Sequence, residues 1–402
     1  MNASTAELHK LALAYADRCV MCGMCARVCP TYALETDENE SPRGRIALLR
    51  AQLAGEIEAG VRGEAHLAHC LGCGRCEAAC PSGVPYLRLR QLQRELRPGP
   101  PATGWRRRAL WWLAQPRTLR HAGGLLRLLQ KLRLIQPASR ALGLERARHY
   151  LPPLPRALSR RRRYPARKTP RGRLGLFTGC LGPSLDGDSL RAAIALLNRA
   201  GWDVVVPPRQ GCCGALARQL GAPWQAHEDR RRNLAAFAGQ DLDAVLYLTT
   251  GCGTTLRDYA FWEGAEIRPA FEEVGAFLAR NLPPEGLRLR PLPRRVFVHR
   301  PCSLGDDRAV EDLLRQIPGI ELLDSAALPG CCGAGGANML TQPAIADALG
   351  EQSIHAILAT RPDFIVSSNM GCALHLGAQL RQRGLDSEVV HPLVLLHRQL
   401  EP

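Results

Sequence analysis

The sequence is poor in aromatic residues and contains no long apolar run. Phenylalanine, tryptophan and tyrosine together make up 5% of its 402 residues, which argues against a protein built on base stacking. No segment approaches the ~18 consecutive apolar residues that a transmembrane helix needs. The first 19 residues lack an apolar stretch preceded by basic residues, so we expect no signal peptide and a cytoplasmic protein.

Acidic residues are nearly missing from one part of the chain. Residues 101–173 contain 20 of the 53 lysine and arginine residues and a single acidic residue, Glu145. The formal net charge of +16 is therefore concentrated in this segment, and the rest of the chain is close to neutral. A positive net charge is common in proteins that bind nucleic acids. However, no known nucleic-acid-binding motif accompanies the charge, so we expect no nucleic-acid partner.

Cysteine, in contrast, is abundant, and half of the 16 cysteines are crowded into two short runs. Each run has the spacing C-x2-C-x2-C-x3-C followed by proline, which is the pattern of bacterial 4Fe-4S ferredoxins. The runs consist of Cys19, Cys22, Cys25 and Cys29, and of Cys70, Cys73, Cys76 and Cys80. In two-cluster ferredoxins the fourth cysteine of a run binds the cluster of the other run. We therefore predict two 4Fe-4S clusters, one held by Cys19, Cys22, Cys25 and Cys80, and one by Cys70, Cys73, Cys76 and Cys29.

Other uses of these eight cysteines fit the pattern less well. Zinc sites usually pair two C-x2-C units and do not end in Cys-Pro, and a disulfide framework would require a secreted protein. Cubane clusters whose irons are all bound by the protein mostly transfer one electron at a time. We therefore expect the N-terminal part to relay electrons and to contain no catalytic residues.

The N-terminal part is predicted to be an α-helical, ferredoxin-like domain over residues 1–95. Apolar residues recur every three or four positions in residues 6–19 and again in residues 42–60. This spacing is typical of helices that bury one face. The two cysteine runs would then lie between packed helices.

Residues 96–172 are predicted to form a basic helical connector, and the arginine-rich segment of residues 160–173 is predicted to be an extended linker. Tryptophans beside arginines, at positions 105, 111 and 112, are typical of segments at a membrane surface. Apolar residues also recur there at helical spacing: Leu125, Leu126, Leu129, Leu132 and Ile135. Two interpretations stay open, namely contact with a membrane or partner, and packing between domains.

The rest of the chain contains an internal repeat, predicted over residues 173–290 and 291–402. In each copy a strand-like run leads to a first cysteine, a CCG turn carries two more, and a later strand leads to the fourth. The first repeat contributes Cys180, Cys212, Cys213 and Cys252, and the second contributes Cys302, Cys331, Cys332 and Cys372. Strands alternating with helices predict a parallel sheet in each copy.

The carboxyl ends of parallel strands meet at one edge of a sheet, so we expect the four cysteines of each repeat to lie together. These eight cysteines are candidate cofactor-binding residues for a further iron–sulfur cluster or another redox group. A vicinal disulfide at 212–213 or 331–332, and cysteines that only fill the core, are the alternatives.

These motifs resemble the iron–sulfur subunit of glycolate oxidase, also called glycolate dehydrogenase, from Cys19 to His391. The resemblance rests on both cysteine runs and on six short segments: SPRGRI at 41–46, CPSGVPY at 80–86, GCCG at 211–214, TTGCG at 249–253, CCGAGG at 331–336 and MGCALHL at 370–376. Each repeat looks like the cysteine-rich CCG domain that also occurs in heterodisulfide reductase. The fold expected is therefore a helical ferredoxin-like domain followed by an α/β half made of two CCG units.

The resemblance also implies partners. Separate flavoprotein subunits with FAD would oxidise glycolate or another 2-hydroxy acid, and this chain would pass the electrons to a membrane acceptor such as quinone. The chain itself shows no dinucleotide-binding glycine motif followed by an acidic residue. A peripheral position on the inner face of the cell membrane would follow.

The sequence departs from the heterodisulfide reductase pattern, which ends each CCG unit in C-x-x-C. The last positions are Thr255 and His375 here. His375 is a candidate fifth ligand, although a hydrogen-bonding or core role is favoured. Subunits of glycerol-3-phosphate and lactate dehydrogenases share the architecture, and a CCG-domain thiol or disulfide reductase is a further alternative.

Overall fold

A computed structural model describes most of the chain. The described residues are 4–97, 116–141, 145–159, 161–167, 169–282, 287–305, 307–323, 330–385 and 387–401. The tryptophans at positions 105, 111 and 112, on which the membrane-surface interpretation partly rests, lie outside the described residues.

The N-terminal part is helical, as predicted. Its α-helices are α1 (Thr5–Ala16), α2 (Pro30–Glu35), α3 (Pro42–Ala54), α4 (Val61–Ala68), α5 (Arg75–Ala78) and α6 (Tyr86–Leu96). Short 3-10 turns cover Ala26–Val28 and Glu38–Glu40. The core between these helices is formed by buried apolar side chains: Ala12, Ala16, Ile46, Leu49, Leu67, Leu89 and Leu92.

Local sequence sets both ends of α3. Ser41 accepts a hydrogen bond from the Gly44 backbone at 3.0 Å, and Pro42 occupies the first helical position, where no backbone donor is needed. Gly55 ends the helix with a φ of 74°, a left-handed conformation that glycine adopts without strain. The helix predicted to run to residue 60 therefore stops six residues earlier.

A buried charge cluster lies between α3 and α4. The Arg45 guanidinium contacts the Glu40 carboxylate at 2.5 Å, and both side chains are almost fully buried. The same carboxylate lies 2.6 Å from His66 Nδ1 and 2.8 Å from His69 Nδ1. Arg45 also donates to Thr31 Oγ1 at 3.0 Å and lies 3.9 Å from Cys29 Sγ. The cluster thus ties three helical segments to the first cysteine run.

The described part of the connector is mainly helical up to residue 149 and non-helical beyond it. It contains α7 (Pro116–Lys131), α8 (Ile135–Ala141) and α9 (Glu145–His149). One face of α7 packs on the first repeat, because Arg127 donates to the Ser184 carbonyl at 3.3 Å and Gly123 is buried. Among the described residues no helix has the length and apolar character to cross a membrane.

Each repeat forms a sheet. The strands are β1 (Arg163–Tyr164), β2 (Gly172–Phe177), β3 (Trp202–Val205), β4 (Ala244–Tyr247), β5 (Phe271–Glu273), β6 (Arg295–His299), β7 (Glu321–Leu323), β8 (Phe364–Ser367) and β9 (Val389–Val390). The first sheet has the order β1-β3-β2-β4-β5 and the second has the order β7-β6-β8-β9, so four strands follow the same order in both and the first sheet has one more strand at its edge. All strand pairs are parallel except β1–β3, which is antiparallel. Strand β1 lies within the predicted linker and forms one edge of the first sheet.

The helices of the two sheets surround a shared core. They are α10 (Gly182–Leu185), α11 (Gly187–Arg199), α12 (Ala215–Gln219), α13 (Pro223–Phe237), α14 (Thr250–Arg257), α15 (Tyr259–Glu263), α16 (Val274–Asn281), α17 (Ala309–Arg315), α18 (Asn338–Thr341), α19 (Pro343–Ala359), α20 (Met370–Gln382) and α21 (Pro392–Arg398). One continuous apolar cluster includes Leu174 and Leu246 of the first sheet and Val296 and Val366 of the second. The two repeats are therefore joined by a common interior.

The repeats also share small hydrogen-bonding details. Asp243, directly before β4, accepts from the Arg173 backbone at 2.8 Å, and Asp363, directly before β8, accepts from the Arg295 backbone at 2.8 Å. These carboxylates fix the register of the central strand pair in the same way. The prediction of an internal repeat of parallel α/β units is confirmed.

Candidate metal centres

Two cavities lie in the helical part, and both are lined by cysteines. The first, with an empty volume of about 400 Å³ that includes its open mouth, is bordered by Cys19, Cys22, Cys25, Cys76 and Cys80. Cys80 comes from the second run and lies beside the first three cysteines of the first run. The chain therefore crosses over between the runs, as the predicted sharing requires.

The second cavity has an empty volume of about 350 Å³ and is bordered by Cys29, Cys70, Cys73 and Cys76. Here Cys29 is the residue that crosses over, from the first run to the second. Thr31, Arg45 and Tyr86 also line this cavity. Each cavity thus collects the four cysteines that the spacing assigns to one cluster, and Cys76 borders both.

Near both cysteine runs, backbone N–H groups lie close to cysteine sulfur atoms. Gly72 donates its backbone N–H to Cys70 Sγ at 3.4 Å, and Val84 donates to Cys80 Sγ at 3.5 Å. Gly23 has a φ of 80° and faces the Arg43 side chain so closely that a Cβ atom would collide with it. The positive φ therefore favours glycine where the first run curls around its cavity.

Burial raises the pKa of three of these thiols, Cys25, Cys73 and Cys76, and so makes them hard to ionise without a cation. Desolvation raises the pKa of Cys25, with Cys19 and Cys80 adding like-charge repulsion. Burial raises the pKa of Cys73 to about 12, and Cys302 and Cys70 add to that shift. Because thiolates are the form that binds metal, positive charge is needed where these sulfurs converge.

The four cysteines of each repeat also lie together, at the carboxyl edge of the sheet. In the first repeat Cys212 is within hydrogen-bonding reach of Cys180 and Cys213, and Cys213 is within reach of Cys252. In the second, Cys331 is within reach of Cys302 and Cys332, and Cys332 is within reach of Cys372.

The helices, and not only the turns, position these cysteines. Cys252 lies in the first turn of α14 and Cys372 lies in the first turn of α20, so the strand that leads to each of these cysteines is followed directly by a helix. Asn233 fixes the first CCG turn by accepting from the Gly211 backbone at 2.8 Å and donating to the Cys212 carbonyl at 2.7 Å. Ser353 contacts the Cys331 carbonyl at 3.4 Å in the second repeat.

The second cysteine run lies against the second repeat. Leu71 packs with Cys331, Ile345 and Leu349 in one apolar cluster, and Cys73 contacts it. The Asn338 amide points at the carbonyls of residues 68–70, with 3.3 Å to that of Cys70. A Cβ atom on Gly330 would collide with Arg75. The second cavity and the second repeat's cysteines are therefore direct neighbours.

The sites of the two repeats also adjoin each other. Thr250 Oγ1 lies 2.7 Å from Ser303 Oγ, and Asn369 donates to the same hydroxyl at 3.3 Å. These residues flank Cys252, Cys302 and Cys372. The cysteine group of the second repeat thus adjoins both the second cavity and the cysteine group of the first repeat.

His375 does not face the cysteines. It is fully buried, its Nε2 lies 2.9 Å from the Ala346 carbonyl, and its Nδ1 lies 3.1 Å from the Tyr150 hydroxyl. The favoured hydrogen-bonding role is confirmed. His299, which the sequence analysis did not single out, instead lies beside two cysteines of the second repeat. Its position three residues before Cys302, at the end of a strand, was the available signal.

Models of two protein families match three segments of the chain. The model of the 4Fe-4S dicluster domain family matches residues 15–84, and the cysteine-rich domain (CCG) model matches residues 174–257 and 296–377. The glycolate oxidase iron-sulfur subunit of Escherichia coli (strain K12) is 31% identical over 410 residues, with 95% of this chain and 94% of the relative covered. The chain belongs to the family of glycolate oxidase iron–sulfur subunits.

Two further relatives show the breadth of this similarity. The probable glycolate oxidase iron-sulfur subunit of Bacillus subtilis (strain 168) is 30% identical over 405 residues, covering 92% of this chain and 90% of the relative. One subunit of the fumarate reductase (CoM/CoB) of Methanothermobacter marburgensis is 31% identical over 235 residues, covering 57% of this chain and 47% of the relative. The predicted resemblance to the glycolate oxidase family is thus confirmed, as are the iron–sulfur and CCG features of the chain.

Proposed function

We propose that this chain is the electron-transfer subunit of a glycolate (2-hydroxy-acid) dehydrogenase complex, which accepts electrons from a flavoprotein subunit and passes them to a membrane acceptor such as quinone. The observation that carries the proposal is the pair of cavities, each lined by the four cysteines of one expected cluster. The family resemblance supports glycolate as the substrate of the partner.

The residues present fit two 4Fe-4S clusters. Each cavity offers four sulfur donors and little competing polar surface, and thiolates are the usual ligands of such clusters. Cys19, Cys22, Cys25 and Cys80 would hold one cluster, and Cys70, Cys73, Cys76 and Cys29 would hold the other. When bound, these clusters supply one-electron redox chemistry.

The protein tunes and separates the two sites. The backbone donors of Gly72 and Val84 reach cysteine sulfur, and such bonds stabilise the more negative, reduced state. The buried guanidinium of Arg45, 3.9 Å from Cys29 Sγ, lies beside the second cavity and is paired with the Glu40 carboxylate. Each cavity thus has one such backbone donor, Gly72 at the second and Val84 at the first, and one lining arginine, Arg45 at the second and Arg43 at the first.

The first cavity is the natural entry point for electrons. Its rim carries Val20, Met21 and Met24, which are 68%, 49% and 49% exposed, and Cys22 is exposed beside them. Clustered exposed apolar side chains mark protein contact sites. The FAD-containing partner would dock there, and electrons would move inward to the second cavity.

The cysteines of the two repeats are proposed to bind a further iron–sulfur cluster, which would continue the route. A CCG-domain thiol or disulfide reductase is the second candidate function, favoured by the adjacency of vicinal cysteines in both repeats. Turnover of a thiol or disulfide substrate by this chain without flavoprotein subunits would distinguish it.

The proposed function predicts iron content and a specific electron donor. Anaerobically reconstituted chain should contain about eight iron atoms from the two N-terminal sites, and more if the repeats bind a cluster. Reduced flavoprotein partner, generated with glycolate, should reduce these clusters, as followed by their visible absorbance and electron paramagnetic resonance. Colourless protein that retains zinc instead of iron would contradict the proposal.

Contact with the membrane surface is proposed for the outer face of α7 and the turn that follows. While one face of α7 packs on the first repeat, Leu125, Leu128 and Leu132 are 58%, 52% and 56% exposed. These leucines lie in the segment of residues 101–173, which contains 20 basic residues and one acidic residue. Exposed leucines beside excess positive charge match an anionic lipid surface.

Replacing Leu125, Leu128 and Leu132 together by glutamine should release the chain from vesicles that contain anionic lipid, with binding reduced by about tenfold or more. Leu340→Gln is the matched control, because Leu340 is 68% exposed but lies in α18 of the second repeat. Co-sedimentation with vesicles measures the effect. Equal binding of the triple variant and the control would reject this surface.

A further inference from the structure

The two repeats differ at one strand end beside their cysteines. The register pairs Phe177 with Tyr247 in the first sheet and His299 with Ser367 at the corresponding place in the second. All four side chains are buried. An aromatic pair in one copy is thus replaced by an imidazole and a hydroxyl in the other, although the surrounding strands and cysteines repeat.

The imidazole lies among sulfurs. A ring nitrogen of His299 and the sulfurs of Cys332 and Cys372 all lie within 4.8 Å of one another, and all three residues are buried. Cys332 is in turn within hydrogen-bonding reach of Cys331, which is within reach of Cys302. His299 therefore stands next to the full set of four thiols in the second repeat.

The hydrogen bonding of His299 leaves one nitrogen for a ligand. His299 Nδ1 lies 3.0 Å from Ser367 Oγ, so the ring orientation is fixed by a hydroxyl from the adjacent strand. A histidine that binds metal through one nitrogen usually hydrogen-bonds through the other, which fixes its tautomer and direction. The His299–Ser367 pair has this arrangement, with Nε2 available.

We propose that His299 is an imidazole ligand of the metal centre in the second repeat, whereas the first repeat offers thiolates alone. This inference rests on the proposal that the repeats bind a further cluster. Bound in place of one of the four neighbouring thiolates, the neutral imidazole would raise the reduction potential of the centre, as histidine does in Rieske centres. The second repeat, which adjoins the second cavity, would therefore be the better electron acceptor of the two repeats.

The test uses the full chain, reconstituted anaerobically with iron and sulfide and labelled with ¹⁵N-histidine. Pulsed electron paramagnetic resonance of the wild-type chain should show a strong coupling from a directly bound histidine nitrogen. His299→Phe, which installs the residue found at this place in the first repeat, should lose that coupling. His375→Gln should keep it, because both nitrogens of His375 are hydrogen-bonded elsewhere.

His299→Cys provides a second test in case His299→Phe fails to fold. It should retain the iron of the second repeat, lose the nitrogen coupling and lower the midpoint potential of that centre. A filled centre without nitrogen coupling in the wild-type chain, or a coupling and potential unchanged in His299→Phe, would overturn the inference. A wild-type second repeat that takes up no metal would overturn it as well.

Failure of the proposed function would look different. The eight cysteines of the two runs are untouched in every variant, so their signals serve as an internal reference. If those signals are missing from the wild-type chain, the electron-transfer proposal fails. If they are present while His299 has no effect, only the inference about the second repeat fails.

Discussion

Cys80→Ser should remove the cluster of the first cavity, although Cys80 belongs to the second run. The variant should lose about four of the eight iron atoms expected for the N-terminal part, and electron transfer to the acceptor should fall by orders of magnitude. The reason is geometric, because Cys80 lines the first cavity beside Cys19, Cys22 and Cys25. Electron paramagnetic resonance of the reduced protein should therefore match that of Cys19→Ser.

Cys29→Ser supplies the reciprocal test. Its spectrum should match that of Cys73→Ser, because both residues line the second cavity. In an assembled complex all four variants should leave the flavoprotein able to reduce artificial dyes with glycolate. If Cys80→Ser resembled Cys73→Ser, each run would bind its own cluster, and the crossover assignment would be wrong.

Glu40→Gln should destabilise the helical part by about 3–5 kcal/mol, because it leaves the buried Arg45 guanidinium without its counter-ion. The Glu40 carboxylate also accepts from His66 and His69, so the substitution disturbs three contacts at once. The urea midpoint of unfolding, followed by circular dichroism on anaerobic protein, measures the effect. Asp17→Asn is the control, because the Asp17–Arg50 ion pair at 2.7 Å is half exposed and should matter little.

The Glu40 carboxylate also predicts in which direction the stability of the folded chain changes with pH. Burial alone would raise the pKa of Glu40, but hydrogen bonds from His66 and His69 and the charge of Arg45 outweigh it, so the pKa lies below its ordinary value of 4.5. The stabilisation is therefore complete above pH 4.5 and is lost as the pH falls through the lowered value. The difference in stability between the natural chain and Glu40→Gln should shrink over this acidic range. A difference that stays constant there would contradict the role of the Glu40 charge.

Much of the candidate site could be predicted because iron–sulfur ligation depends on short spacings. Three cysteines two residues apart, followed by a Cys-Pro, specify a tight local wrap whatever the surrounding fold. The crossover of Cys29 and Cys80 also follows from this local pattern. The structure places both residues in the cavities where the pattern requires them.

The helix and strand types were also predictable, since they depend on local periodicity and on residues such as Ser41 and Gly55 at helix ends. The contacts of the connector were not. Apolar residues at helical spacing do not reveal which face packs and which stays exposed. Only the position of α7 against the first repeat showed that Leu125 and Leu128 lie on the outside.

The amino-acid sequence by itself determined the two ferredoxin-type runs, the repeated α/β units and the gathering of four cysteines at each sheet edge. Only the tertiary structure decided that the second run lies against the second repeat and that His299, rather than His375, faces its cysteines. The physical reason is the distance along the chain over which each effect acts. Cluster spacing and strand periodicity act over a few residues, whereas the contact of Leu71 with Cys331 and the direction of a buried imidazole depend on how distant segments pack.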